Sequence, residues 1–224
     1  MEKYIGNKKR IVDYIGNLVS DLNVDRGIFL DVFAGTNNVG KFFKQKGFRV
    51  ISNDLNECAF IFGKAFIEGR GAPQYQRLIK RYNITNQVND SLIEEYLYLN
   101  KNGHRYAWSD FRPQERNLIK VLTFLSFPKN LSRITKNERN LKIYPLIFRN
   151  YCPGGSLASY KDRFGSPGKR MFFTNEHGQQ IDMTLNLFKF WRNKRIVSDH
   201  EFYILLSSIV HAASLFSNWQ VPTF

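Results

Sequence analysis

The chain has 224 residues, 43% of them hydrophobic and 15% aromatic, and a formal net charge of +14. That length and composition support one large domain, or one core with a sizeable insertion, and exclude a disordered chain. No apolar run approaches the roughly 20 residues of a membrane span, the basic N-terminus lacks the apolar stretch of a signal peptide, and Cys58 and Cys152 have neither disulfide-framework nor metal-site spacing. A cytoplasmic protein with no metal site is the expectation.

Met1 to Asn7 reads as a short lead, and Lys8 to Leu22 predicts a helix. Ile11, Val12, Ile15, Leu18, Val19 and Leu22 recur at a 3–4 spacing and predict one buried stripe. Tyr4 and Lys8 stand where this helix begins. A tyrosine ring there can pack on a flat adenine, and a lysine can meet a carboxylate. On position alone, ordinary surface roles are the simpler reading.

Residues 27–55 carry the strongest local signal. Ile28 to Leu30 with Val32 and Phe33 form a short apolar run, broken by Ala34-Gly35-Thr36. This predicts a buried strand entering a turn. Val39, Phe42 and Phe43 have helical spacing, and Gly47 stands where that helix should stop. Phe48 to Ser52 predicts a second strand ending at Asn53-Asp54. The unit is half of a mononucleotide-binding fold, in which backbone N–H groups and a helix N-terminus approach a ligand and the acid accepts hydrogen bonds from a ribose. The turn has no lysine for phosphates, and Lys41 lies too far along the helix. Gly35 is followed next by Gly40, so the Gly-x-Gly-x-x-Gly turn of nucleotide-dependent oxidoreductases is absent.

Ala59 to Glu68 reads as a helix ending at Gly69. Helical patches then run from Gln74 to Tyr82, Asp90 to Leu99 and Glu115 to Phe124, separated by Asn-rich turns, as expected of a helical insertion. Residues 150–180 read as Gly-rich loops with Tyr160, Phe164, Phe172 and Phe173 interleaved among basic residues, a composition suited to backbone contact and base stacking. A surface loop without function is the competing reading. Ile181 to Trp191 predicts a helix. Ser198-Asp199-His200-Glu201 is a capping box, and the helix after it, to about Phe216, should pack back on the main sheet. There is no internal repeat.

Charge is unevenly placed. Residues 101–195 hold 19 Lys and Arg against 6 Asp and Glu, whereas residues 1–100 hold 14 against 11. A concentration of this kind points to a polyanion, most often nucleic acid; general solubility charge is the alternative. The candidates are Arg112, Arg116, Lys129, Arg133, Lys136, Arg139, Lys161, Arg163, Lys169 and Arg170, most of them expected on phosphates.

Asp31-Val32-Phe33-Ala34-Gly35-Thr36, the acid Asp54 and the leading Tyr4-Ile5-Gly6-Asn7-Lys8 together resemble the cofactor motifs of S-adenosylmethionine-dependent DNA methyltransferases, most closely the Dam-like (D12) adenine-N6 class. Asn150-Tyr151-Cys152-Pro153-Gly154, Arg170 to Thr174, Ile181-Asp182 and Trp191 resemble the following segment of type II modification enzymes of that class. The likeness runs from residue 3 to about residue 218. It implies an α/β fold, a Rossmann-like methyltransferase sheet (here incomplete) with a mainly helical, basic target-recognition insert. Residues 1–70 would form the cofactor part, 71–195 the insert, and 196–224 a helix returning to the core before a premature end. It implies S-adenosylmethionine as cofactor and double-stranded DNA as partner, with transfer of the methyl group to N6 of a flipped adenine.

Carried over by residue, the resemblance places Tyr4 near the adenine or methionine part, Lys8 on the carboxylate, and Asp31, Phe33, Gly35 and Thr36 around the turn. Asp54 would bind the ribose hydroxyls. A glycine is usual after the threonine; Asn37 stands here and tolerates left-handed backbone. The Asp/Asn/Ser-Pro-Pro-aromatic loop of such enzymes has no counterpart, because the sequence contains no Pro-Pro. No catalytic residue is therefore assigned. Cys152 within Tyr151-Cys152-Pro153-Gly154 is a poor substitute, since a thiol accepts an amino proton weakly. A truncated reading frame, or one half of a split enzyme whose second chain supplies the loop, is the expectation; a catalytically incomplete DNA-binding module is the alternative.

Overall fold

The computed structural model describes residues 8–89, 93 and 111–216. The chain is mixed α/β, mostly helical with small sheets, and divides into two compact units: Met1–Gly71 with Tyr203–Ser217, and Ala72–Phe202 with Asn218–Phe224. Among the described residues no helix is long and apolar enough to cross a membrane.

The first unit is built on two parallel strands, β1 (Ile28–Asp31) and β2 (Arg49–Ser52), in the register Ile28↔Arg49 to Asp31↔Ser52. A 3-10 turn (Lys8–Ile11) leads into α1 (Val12–Asp21), and α2 (Asn38–Gln45) connects the strands. Strand residues alternate between faces. Phe29 therefore turns to the same side as Val50 and joins Val39, Phe43 and Phe48 in the core, with Val12, Ile15 and Val19 of α1 packed against it. The Phe29 and Phe43 rings stack with centroids 3.8 Å apart.

The expected stripe on α1 is only half buried. Ile11, Leu18 and Leu22 are exposed, because α1 meets α2 along the narrow face that holds Gly16, where a Cβ would come within 2.5 Å of the Phe42 ring. The opposite face of the sheet is uncovered too, with Ile28 65% and Leu30 57% exposed. Helix α3 (Glu57–Phe62) is capped by Asn56, whose side chain accepts from the Cys58 N–H. It continues without a break as a π-helical turn, Gly63–Glu68, an irregularity that apolar spacing cannot reveal. Lys44 closes that turn by donating to the carbonyls of Phe66, Ile67 and Gly69 at 3.1, 2.7 and 2.6 Å, the orphan acceptors of a helix end.

In the second unit α4 (Gln76–Tyr82) and α5 (Ile84–Gln87) precede α6 (Pro113–Ser126) and α7 (Pro128–Asn137), each of the latter pair opening on proline at its first position. The helix expected from Asp90 to Leu99 lies outside the described residues apart from Ile93. Residues 150–180 are more ordered than a loop. They hold the end of α8 (Leu146–Tyr151), an antiparallel hairpin of β3 (Ser159–Lys161) and β4 (Pro167–Lys169), and the start of α9 (Asn175–Asn193). Local glycine content concealed this because the order comes from distant partners. Buried Asp182 of α9 accepts the Ile147 and Phe148 N–H groups, both at 2.8 Å, and so caps α8, whose own N-cap residue is Pro145.

The Ser198 to Glu201 capping box forms as expected, opening α10 (Asp199–Phe216). From Tyr203 onward α10 belongs to the first unit. There it packs against helices instead of the expected sheet: Tyr203 meets the Phe60 ring edge-on, and its next turns lie beside α2 and the π-helical turn.

Gly155 sits where a Cβ would fall 2.3 Å from the Phe148 carbonyl oxygen and 2.4 Å from that of Arg149. Gly155→Ala should destabilise the chain by about 1–3 kcal/mol. The urea midpoint measures this, and an unchanged midpoint refutes so tight a contact.

Candidate functional site

The turn after β1 is held by the turn after β2. The Gly35 N–H donates to Asp54 Oδ2 at 2.8 Å and the Asn56 N–H to Oδ1 at 2.9 Å. The Asn53 carbonyl accepts the Ala34 N–H at 3.0 Å. These amides, with the nearby charge of Lys8, hold the Asp54 carboxyl below the usual carboxylate range. It is therefore an ionised acceptor, and a carboxylate's four lone-pair directions exceed the backbone amides it meets. Gly35 and Asn37 take left-handed conformations, with φ of 50° and 58°. Asparagine at the position after the threonine thus keeps the turn, and its side chain bonds the Ala59 carbonyl at 3.0 Å.

The structure brings Lys8, Asp31, Phe33, Gly35, Thr36 and Asp54 together; Tyr4 lies outside the described residues. Lys8 donates to the Phe33 carbonyl, and its ammonium lies 3.9 Å from Asp31 Oδ1. The Phe33 ring is 75% exposed. Asp31 Oδ2 and Asn37 Oδ1 are buried with no hydrogen-bond partner among the described residues. A flat exposed ring, an ionised acceptor and unfilled buried acceptors suit a nucleoside joined to an amino acid better than a pyrophosphate, so the residues fit S-adenosylmethionine. Among the described residues no group of three His, Cys, Asp or Glu could hold a metal.

Two features escaped sequence reasoning. Lys41, which sequence spacing sets too far along α2, shares with Thr36 and Asn38 the wall of a cavity of about 290 Å³. Side chains on a helix lean toward its N-terminus, and Lys41 Nζ sits 3.5 Å from the centroid of the Phe66 ring. Burial pushes its pKa down to about 8. His211 of α10 lines the same cavity, and burial lowers its pKa as well. No local motif joins residues 41 and 211; only the return of α10 does.

The basic candidates all fall in the second unit. Lys129, Arg133 and Lys136 project from the exposed side of α7, opposite buried Leu131 and Ile134, with Arg133 bonded to Gln87. Arg139 follows that helix and is exposed. Lys161, Arg163, Lys169 and Arg170 lie on or beside the hairpin, whose tip carries Arg163 against an exposed Phe164 ring. Arg112 and Arg116 are engaged at the start of α6, Arg112 by Glu115 at 2.7 Å and Arg116 by the Phe111 carbonyl.

A family model described as D12 class N6 adenine-specific DNA methyltransferase matches residues 4–171. Among individual proteins, the chain is 23% identical over 218 residues to modification methylase StsI of Streptococcus sanguinis, covering 96% of this chain and 24% of that protein. It is 24% identical to type II methyltransferase M.FokI of Planomicrobium okeanokoites, covering 96% and 25%. It is 20% identical to type II methyltransferase M.NlaIII of Neisseria lactamica, covering 96% and 46%. The chain thus spans about a quarter of the first two and under half of the third. No solved structure matches.

Lys41 should titrate near pH 8 by NMR of its side chain. Its pKa is lowered on folding, so between about 8 and 10.5 the unfolded chain binds more protons and stability should rise with pH. Lys41→Met should remove that rise, and a midpoint near 10.5 would contradict the burial of this ammonium.

Proposed function

We propose, since the chain belongs to the D12 class of N6 adenine-specific DNA methyltransferases, that it forms the cofactor- and DNA-binding part of a site-specific adenine methyltransferase of a restriction-modification system. The observation that carries the reading is the Asp54 carboxylate, pinned across the Gly35 turn with its remaining lone pairs available. S-adenosylmethionine supplies an electrophilic methyl group on a sulfonium, for transfer to N6 of an adenine flipped from the duplex. Asp54 accepts the ribose hydroxyls, Phe33 and Tyr4 pack on the flat or apolar parts of the cofactor, and Gly35 and Thr36 line its path. Residues 1–70 are the cofactor part of a Rossmann-like core, 71–195 the recognition insert, and 196–224 the return to that core, in a cytoplasmic protein.

In the second unit the α7 face and the hairpin neutralise backbone phosphates, and Phe164 and Tyr160 offer rings for stacking. The residues that accept the target amino group come from a Pro-Pro-aromatic loop, supplied by a second chain or by sequence beyond these residues. One observation favours a second reading, a DNA-binding module without chemistry of its own: the sequence contains no Pro-Pro.

Calorimetry should detect S-adenosylmethionine binding, and Asp54→Ala should weaken it about tenfold or more, as expected for loss of charged hydrogen bonds; undiminished binding would falsify the ribose assignment. Duplex DNA binding should weaken steeply with salt. Joint replacement of Lys129, Arg133 and Lys136 by alanine should lower the slope of log K against log salt by about two to three, and an unchanged slope removes α7 from the interface. Tritiated methyl transfer separates the two readings, because the module reading expects none even with a complementing chain.

A further inference from the structure

We propose that a cleft in the second unit, between α4 and the junction of α9 with α10, is a phosphate-binding site whose two principal groups are Arg77 and Arg195. The cleft measures about 720 Å³, and Arg77, Arg192 and Arg195 line it together with the side-chain amides of Gln74, Gln76 and Asn193. It takes no residue from the α7 face or the hairpin, and all of its lining lies within the second unit. It is therefore separate from the methyl-donor turn and from the DNA contacts proposed above. A space of that size admits a phosphate together with a group as large as a nucleoside.

The decisive residue is Arg195. It follows α9 where the chain turns left-handed, with φ of 55°. Its N–H bonds the Arg192 carbonyl and the Ile196 N–H bonds the Trp191 carbonyl, a helix ending that usually places glycine at this position. A side chain there strains the backbone. Nothing inside the chain offsets that strain: the Arg195 side chain is exposed and makes no hydrogen bond or ion pair among the described residues. A cation at a helix C-terminus complements the helix dipole, but Arg192 and Lys194 already stand there. Arg77 is fixed beside the same turn, because its Nη1 donates to the Arg195 carbonyl at 3.1 Å. Its other N–H groups have no partner among the described residues. The acids of the lining are committed, Asp199 to Arg192 at 2.6 Å and Glu201 to the Ser198 and Tyr75 N–H groups. Two guanidiniums with no acid of their own thus line one cleft. A phosphate, whose oxygens match the planar guanidinium fork, is the anion that both can hold at once.

The test is phosphorus NMR of inorganic phosphate titrated with the full chain, with AMP and a short DNA duplex as competitors. The wild type should bind inorganic phosphate saturably. Arg195→Gly, which suits the left-handed turn, should keep or raise the urea midpoint and weaken phosphate binding about tenfold or more. Arg77→Met should weaken it similarly, and Arg195→Lys should retain part of it. Lys194→Met removes a charge from the neighbouring residue, which does not line the cleft, and should leave binding unchanged. The competitors identify the source of the phosphate. If it is a duplex backbone, the duplex displaces inorganic phosphate and Arg195→Gly lowers the slope of log K against log salt by about one. If it is a free nucleotide, AMP displaces inorganic phosphate and the duplex slope stays at its wild-type value. Either result supports the site. The proposal is overturned if the wild type binds no phosphate saturably or if Arg195→Gly binds it as the wild type does. It is overturned equally if Lys194→Met loses as much as Arg195→Gly, the mark of diffuse charge, or if neither competitor displaces the phosphate, the mark of an adventitious ion only. S-adenosylmethionine binding is untouched by each of these results, so the cleft and the methyl-donor reading fail separately.

Discussion

The Asp54 carboxylate accepts the Gly35 and Asn56 amides at once, and so ties the turn after β1 to the turn after β2. Two strands of four residues each have few ladder bonds with which to set the spacing of their ends. The carboxylate supplies what the ladder lacks. It satisfies amides that the turns leave without a strand partner, and those amides in turn keep it ionised. Asn37 completes the arrangement by adopting φ of 58° and reaching across to Ala59, which locks the start of α2 against α3. The edge formed by the two turns is thereby held by bonds within the chain itself.

The second unit uses its few acids differently. Asp182 caps α8, and Glu201 caps α10 while accepting the Tyr75 N–H. Glu138 accepts from both Arg81 and Tyr82, and the Tyr82 hydroxyl receives the Trp191 indole N–H. Asp162 accepts the Phe164 and Ser166 amides and shapes the hairpin tip. The ion pairs these and other acids make among the described residues, Glu115 with Arg112, Glu138 with Arg81 and Asp199 with Arg192, include no basic residue of α7 or the hairpin. The positive charge of this region therefore remains on Lys129, Arg133, Lys136 and the hairpin, facing solvent. A structural use of carboxylates and an unneutralised surface are two sides of one allocation.

Much of the first unit was legible because its signals are local. A short apolar run, a small-residue turn, a helical spacing and an acid at a strand end each act within a few residues, and the structure has them where expected. The capping box at Ser198 was legible for the same reason. The buried stripe of α1 was misread because periodicity reports which side is apolar and not how wide a neighbour covers it. The loops at 150–180 were misread because glycine content reports freedom, whereas the order there comes from bonds between the two ends of the segment, the Phe172 N–H to the Tyr151 carbonyl, the Arg170 N–H to the Ala158 carbonyl and the Gly154 N–H to Asn175.

The sequence by itself determined the strand–turn–helix–strand unit, the acceptor at Asp54, the left-handed tolerance of Asn37 and the concentration of positive charge. Each follows from local backbone chemistry or from composition, and neither depends on how the chain closes. Only the tertiary structure decided the setting of Lys41. Its partly desolvated ammonium arises because α10, carrying His211, and the π-helical turn, carrying Phe66, close over α2. Burial is a property of packing between distant segments, and no spacing along the chain encodes it directly.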